Sequence, residues 1–213
     1  MMKFCLQNSN PIEILCLGSH CDDIEIGAGA TLLKLFQNHN IGKVTWIVLA
    51  SNEIRKGEAV KSAEQFLSDV DQKEIVIKSF RDGFFPYQGA EIKEYFELLK
   101  KETDPDLIFT HYRNDRHQDH RIISDLTWNT WRNHFILEYE IPKYDGDLGI
   151  PNFYVELNEQ LIKKKNKIIV ESFHSQNSKH WFDETAFSAL PRLRGMESAT
   201  EFAEAFYVRK FVM

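Results

Sequence analysis

Three side chains that can hold a metal ion or activate a water molecule follow the first apolar segment of the chain. His20, Asp22 and Asp23 come directly after residues 14–18, and residues 24–36 continue with apolar side chains at helical spacing. This pattern predicts a strand, a loop and a helix. One turn of backbone can direct the imidazole and one carboxylate to a common point with the second carboxylate alongside, which suits a metal ion with a base beside it. The spacing alone does not decide which aspartate is the ligand.

A second polar cluster, NDRHQDHR, occupies residues 114–121 directly after an apolar run at residues 106–112. It contains His117, Asp119 and His120. If both clusters follow strands of one parallel sheet, they meet at its carboxyl edge, where open α/β sheets bind their ligands.

Together the two loops offer two histidines and one carboxylate, for which His20, His120 and either Asp22 or Asp23 are the candidates. This set is typical of a catalytic zinc site with an open fourth position. The same donors also bind Fe²⁺, so ligand type does not decide the metal. A dinucleotide site is not predicted, because the aspartates would repel a pyrophosphate and Gly27 and Gly29 fall in the helix rather than in the turn.

The elements that position these loops alternate along the chain. Strands are predicted at residues 12–18, 43–51, 74–80 and 106–112, and helices at residues 24–38, 53–67, 90–102 and 121–134. Because the strands are continuous apolar runs with short connections, we expect an α/β fold, a Rossmann-like three-layer sandwich with a mostly parallel sheet and helices on both faces. Strands in FILEYEI and NFYVEL, a helix at 158–173 and a final helix at 197–211 complete a single predicted domain, residues 1–213.

Composition narrows the class of partner. The formal net charge is −6, from 32 acidic and 26 basic residues, and no basic patch predicts nucleic-acid binding. No apolar run approaches the roughly 20 residues that span a bilayer, and the N-terminal residues lack a secretory signal, so we expect a cytoplasmic protein. Cys5, Cys16 and Cys21 lack CxxC spacing, which favours reduced thiols. An exposed basic helix face is predicted from Lys163, Lys164, Lys165 and Lys167.

Several motifs resemble those of the PIG-L/LmbE-like family of metal-dependent N-deacetylases. SHCDDIEIGAGATLLKL is similar to the family's A-H-P-D-D-E-x-x-G-x-G-G-T-L motif, and NDRHQDHR to its later H-x-D-H motif. Weaker similarities are IRKGEA, FHSQ and RGMESATEFAEAF. The chain departs from the pattern at Cys21, where Pro is usual, and at Ala30, where Gly is usual. It also has Phe173 where the family has His, so the adjacent His174 is not counted as catalytic.

The resemblance assigns roles by position. It implies that Asp22 is the general base and that His117, oriented by Asp119, stabilises the oxyanion or protonates the leaving amine. It also implies that zinc is bound by His20, Asp23 and His120.

The reaction that the resemblance implies is hydrolysis of an N-acetyl group from an amino sugar, free or carried on a nucleotide, lipid or thiol conjugate. Arg55 is a candidate for binding a sugar hydroxyl or the carbonyl. Aromatic residues in predicted loops can stack on sugar rings, namely Phe84, Phe85, Tyr87, Trp181 and Phe182. Two alternatives stay open, an Fe²⁺ oxygenase with the same ligand set and a non-catalytic metal- or sugar-binding protein. The expected partner is a small molecule, and a homo-oligomer is compatible with the sequence.

Overall fold

The computed structural model describes residues 10–212 and is built on one sheet of seven strands. The strands are β1 (Ile12–Gly18), β2 (Ile41–Val48), β3 (Lys73–Ile77), β4 (Leu107–His111), β5 (Phe135–Tyr139), β6 (Phe153–Leu157) and β7 (Phe202–Tyr207). Their order across the sheet is β3-β2-β1-β4-β5-β7-β6. Strands β1 to β5 pair in parallel, whereas β7 is antiparallel to both β5 and β6. Cys5 lies outside the described residues.

Within the described part of the chain, six α-helices cover the two faces of this sheet. They are α1 (Asp23–Asn38), α2 (Glu53–Phe66), α3 (Gly89–Glu102), α4 (Gln118–Thr130), α5 (Glu159–Ser172) and α6 (Glu184–Ser198). Helices α1, α2, α5 and α6 pack on one face, and α3 and α4 on the other. The predicted three-layer α/β fold with a mostly parallel sheet is therefore confirmed. Within residues 10–212, no helix has both the length and the apolar character needed to cross a bilayer.

The central strand β1 is buried on both sides, as its continuous apolar sequence predicts. Ile14 and Cys16 belong to the core beneath α1, whereas Leu15 and Leu17 belong to the core beneath α3 and α4. The chain leaves β1 toward β2 on one side, while β4 lies on the other side of β1. The carboxyl ends of β1 and β4 therefore flank the point where the connections diverge, which is where sheets of this kind bind ligands.

The predicted start and the predicted end of helix α4 were both wrong. Helix α4 begins at Gln118 rather than at residue 121, because His117 acts as its N-cap and accepts a hydrogen bond from the backbone N–H of Asp119. Asp119 and His120 therefore lie in the first helical turn instead of in a loop. The helix ends at Thr130, before the predicted residue 134.

The helix predicted at residues 197–211 was also wrong. Helix α6 ends at Ser198, Ala199 adopts a left-handed conformation with φ 57°, and the chain returns as β7. A side chain at Gly195 would place its Cβ 2.6 Å from the carbonyl oxygen of Glu201, so this glycine lets the turn fold back onto the helix. Pairing with β5 and β6 overrides the local helix preference of the Ala and Glu residues in β7.

The prediction that Lys165 belongs to an exposed basic helix face was wrong. The other three lysines of that run are partly or fully exposed. The ammonium group of Lys165 is buried 3.0 Å from Glu204 and donates a hydrogen bond to the carbonyl oxygen of Ile26. Glu204 in turn accepts hydrogen bonds from the backbone N–H groups of Ala30 (3.1 Å) and Thr31 (2.7 Å), in the middle of α1. This buried ion pair therefore joins α5 and β7 to the interior of α1.

Candidate metal and catalytic site

Three of the predicted site residues meet at the carboxyl ends of β1 and β4. His20 Nδ1 lies 3.1 Å from His120 Nε2 and 3.2 Å from Asp23 Oδ2, and the third separation, from His120 Nε2 to Asp23 Oδ2, is 3.6 Å. Ligands about 2.0–2.1 Å from a tetrahedral zinc ion must lie roughly 3.3–3.4 Å apart. The three atoms therefore have the spacing that such an ion requires.

The ring of His120 is held with one nitrogen toward this point. Its Nδ1 lies 2.9 Å from Asp115 Oδ2, and that carboxylate also accepts a hydrogen bond from Lys143 at 2.7 Å. Lys143 is further paired with Asp147. Because Asp115 engages Nδ1, the proton of the neutral ring lies there and Nε2 presents its lone pair to the cluster. The donor set therefore fits a divalent metal ion.

The far nitrogen of His20 also faces carboxylates. His20 Nε2 lies 3.1 Å from Asp82 Oδ1 and 3.4 Å from Asp119 Oδ2. The Asp119 carboxylate is fixed in turn by the backbone N–H groups of Gly83 (2.6 Å) and Phe85 (3.1 Å). Each histidine of the cluster thus has its own supporting carboxylate.

His117 and Asp119 are neighbours, but the described hydrogen bond between them runs through the backbone. The N–H of Asp119 donates to His117 Nδ1 at 3.3 Å, while the Asp119 side chain faces His20. Since Nδ1 of His117 is an acceptor, the proton of the neutral ring is on Nε2. Burial and the nearby His20 lower the pKa of His117, which favours that neutral form.

Asp22 and Asp23 are adjacent in sequence but have different partners. Asp22 Oδ2 lies 2.9 Å from Arg55 Nη2, so the predicted base and the predicted substrate-binding residue contact each other. Burial raises the pKa of Asp22 in spite of Arg55. Burial alone would also raise the pKa of Asp23, yet the three neighbouring histidines lower it to well below its usual range.

One of those histidines, His111, was missed in the sequence. It is the last residue of β4, it is fully buried, and its Nε2 lies 3.3 Å from Asp23 Oδ2 and accepts a hydrogen bond from the N–H of Ser19. Its ring stacks on that of His120 with centroids 3.9 Å apart. Asp115 was missed as well. Both residues stand at or just after the carboxyl end of a predicted strand, and that position was the signal that could have identified them.

Cys21, which replaces the usual proline of the motif, is fully buried, and its thiol contacts the carbonyl oxygen of Ala50 at 3.4 Å. Burial raises the pKa of this thiol to about 12. Cys21 therefore behaves as a small buried residue.

A cavity of about 430 Å³ opens above the cluster. We call the part formed before residue 132 the floor; it comprises His20, Asp22, Asp23, Ile26, Arg55, Asp82, His117 and His120. We call the rest the outer wall; it comprises Ile141, Pro142, Lys143, Tyr144, Gln176, His180, Trp181, Ala186 and Phe187. Of the aromatic residues considered in the sequence, Trp181 lines this cavity and Phe85 is buried in the core.

Solved structures of known proteins share this architecture. The N,N'-diacetylchitobiose deacetylase from Pyrococcus horikoshii superimposes with a TM-score of 0.72 at 23% identity, covering 96% of this chain and 87% of that one. A zinc-inhibited form of the teicoplanin deacetylase Orf2 gives 0.71 at 15% identity, covering 92% and 97%. A 4-carboxy-2-hydroxymuconate hydratase from Pseudomonas putida KT2440 gives 0.70 at 12% identity, covering 95% and 98%. At these identities the similarity establishes the fold, which serves more than one chemistry.

The sequence itself is more specific than the fold. Residues 15–131 match the family model described as PIG-L, GlcNAc-PI de-N-acetylase. This span is more than half of the 213 residues, and it contains every predicted site residue and the entire floor of the cavity. The chain belongs to the PIG-L family.

Proposed function

We propose that the protein is a zinc-dependent N-deacetylase that hydrolyses the N-acetyl group of an amino sugar or sugar conjugate. The observation that carries this proposal is the triangle of His20, Asp23 and His120 atoms, with separations of 3.1 to 3.6 Å, beside the non-ligand carboxylate of Asp22. Membership of the PIG-L family and the fold shared with sugar and glycopeptide deacetylases support the same reaction.

His20, Asp23 and His120 would hold the metal ion. When bound, zinc would lower the pKa of a water toward ~7 and polarise the amide carbonyl. Asp22 lines the cavity next to Asp23 and would accept a proton from the attacking water. The C–N bond then breaks, and the products are acetate and a free amine.

His117 contributes a hydrogen-bond donor. Its Nδ1 accepts the N–H of Asp119, so Nε2–H is free to donate to the developing oxyanion or to the departing nitrogen. Asp119 acts on His20 with its side chain and on His117 with its backbone. Arg55 Nη2 lies 2.9 Å from Asp22 Oδ2, and the guanidinium, which lines the cavity, would also donate to a sugar hydroxyl or the carbonyl.

The experiment that tests this proposal is acetate release from N-acetylglucosamine and simple glycosides by protein that carries one equivalent of Zn²⁺ or Fe²⁺. We expect anaerobic acetate release with an equal yield of free amine, and loss of activity after chelation that Zn²⁺ restores. Turnover that requires O₂ and a reductant would support an Fe²⁺ oxygenase instead. Metal binding without turnover of any N-acetyl sugar would support a binding protein.

A further inference from the structure

The outer wall of the cavity is mainly apolar and aromatic. Tyr144, Trp181 and Phe187 line it together with Ile141 and Pro142. The Tyr144 side chain is 76% exposed, so its ring is accessible from solvent. Aromatic faces of this kind bind the C–H faces of sugar rings and apolar aglycones.

The charged side chains around the cavity are mostly acidic. Asp22, Asp23 and Asp82 line it. Lys143, which lines the cavity, is paired with Asp115 (2.7 Å) and Asp147 (2.8 Å), and His20 Nε2 lies 3.4 Å from Asp119.

The two non-histidine cations that line the cavity are both already paired. Arg55 lies 2.9 Å from Asp22, and Lys143 lies 2.7 Å from Asp115. Histidines apart, the lining therefore offers, among residues 10–212, no cationic side chain that lacks a carboxylate partner. Histidines apart, the six carboxylates and two cationic side chains of this set carry a formal charge of −4, or −2 with a bound Zn²⁺.

A phosphorylated substrate would bring two more negative charges into this surrounding. A phosphate group gains most from cationic side chains that are free to bind it, which this lining does not provide. Repulsion from the rim carboxylate of Asp82, whose side chain is 71% exposed, would add to the cost.

We propose that the site selects uncharged glycosides of N-acetylated amino sugars, with a neutral or aromatic second group against the outer wall, and rejects phosphate- and nucleotide-linked sugars. This inference rests on the proposed function for its choice of N-acetyl substrates. It deepens that function by separating two substrate classes that the family resemblance leaves together.

The test compares two probes with the zinc-loaded protein. These are phenyl N-acetyl-β-glucosaminide, which is uncharged, and N-acetylglucosamine 1-phosphate. Acetate release gives kcat/KM and isothermal titration calorimetry gives Kd. We expect kcat/KM to be at least about tenfold higher, and Kd at least about tenfold lower, for the phenyl glycoside than for the phosphate. Added salt should reduce both differences, because it screens the carboxylates. The phosphate group can itself bind zinc, which favours the phosphate probe. A preference for the phenyl glycoside must therefore exceed this contribution.

Asp82→Asn supplies the matched variant, because it removes one rim charge. We expect this variant to reduce the preference for the phenyl glycoside over the phosphate, in kcat/KM and in Kd, by about two- to threefold. Asp69→Asn removes the same charge from an exposed position outside the cavity lining and should leave this preference unchanged.

The outcomes separate this inference from the proposed function. Equal or tighter binding of the phosphate, or failure of the phenyl glycoside to bind, would overturn the charge selection. Acetate release from both probes with equal kcat/KM would overturn it while leaving the deacetylase intact. A binding preference for the phenyl glycoside without any acetate release would support the charge selection and contradict the deacetylase.

Discussion

The two parts of the cavity differ in origin and in composition. The floor comes from the segment that matches the PIG-L family model, and apart from Ile26 it is made of histidines, aspartates and one arginine. The outer wall comes from residues 141–187, after that segment, and is mainly apolar and aromatic. From this difference we propose that the first half of the chain carries the chemistry and the second half the choice of substrate.

If that division is right, changes to the floor should lower kcat or metal content, and changes to the outer wall should alter KM. The four predictions that follow test it.

The largest effect is expected from His120→Ala, which removes one corner of the ligand triangle. We expect zinc content measured by elemental analysis to fall well below one equivalent, and kcat/KM to drop by on the order of 1,000-fold or more. Unchanged zinc occupancy would remove His120 from the ligand set. His174→Ala changes a histidine outside the cavity lining and serves as the control.

Asp22→Asn should separate catalysis from metal binding. It removes the proposed base but no ligand, so zinc content should stay near one equivalent while kcat falls by roughly 100- to 10,000-fold. Loss of zinc in this variant would show that the roles of Asp22 and Asp23 are reversed.

Asp115→Asn should have a smaller effect, through His120. The amide can no longer accept a charge-assisted hydrogen bond from Nδ1, so we expect zinc affinity to weaken by about 10- to 100-fold. Competition with a chelator measures this change. Excess zinc should restore much of the activity, and a loss that excess zinc cannot correct would argue against a role in supporting the ligand.

Trp181→Ala tests the outer wall and should have the smallest effect. Loss of an aromatic contact worth about 0.5–1.5 kcal/mol should raise KM for phenyl N-acetyl-β-glucosaminide by roughly 2- to 12-fold. We expect kcat to stay within about twofold, because no floor residue changes. A fall in kcat with constant KM would break the division between floor and wall. Trp181→Phe should retain most of the contact.

The sequence was most informative where function and local pattern coincide. The apolar run of β1 and the His20–Asp23 spacing predicted the first strand, the loop and the start of α1 from local information alone. His111 was missed because a histidine at the end of a buried strand can equally have a purely structural role in the sheet. The final strand was missed because its position depends on distant partners in β5 and β6, whereas its Ala and Glu residues locally favour a helix.

Two side-chain relations were beyond sequence reasoning for a similar reason. Helical spacing from Leu161 and Ile169 places Lys165 on the buried face of α5, a signal that the interpretation of the lysine run overlooked. The partner of Lys165, Glu204, is 39 residues away and could not be identified locally. The contact between Asp22 and Arg55 likewise depends on how α2 lies beside the first loop. The cytoplasmic location, the single domain and the homo-oligomer stay predictions.

The contact of Lys165 and Glu204 with α1 also limits how the chain can be divided. An excised fragment that ends near residue 131 would keep every residue of the floor. It would lose the carboxylate that receives the Ala30 and Thr31 N–H groups and the ammonium that binds the Ile26 carbonyl. Helix α1, whose first turn carries Asp23, would then lack these contacts. The half that matches the family model is therefore not a transplantable module, and chimeras within the fold must exchange α5 and β7 together with α1.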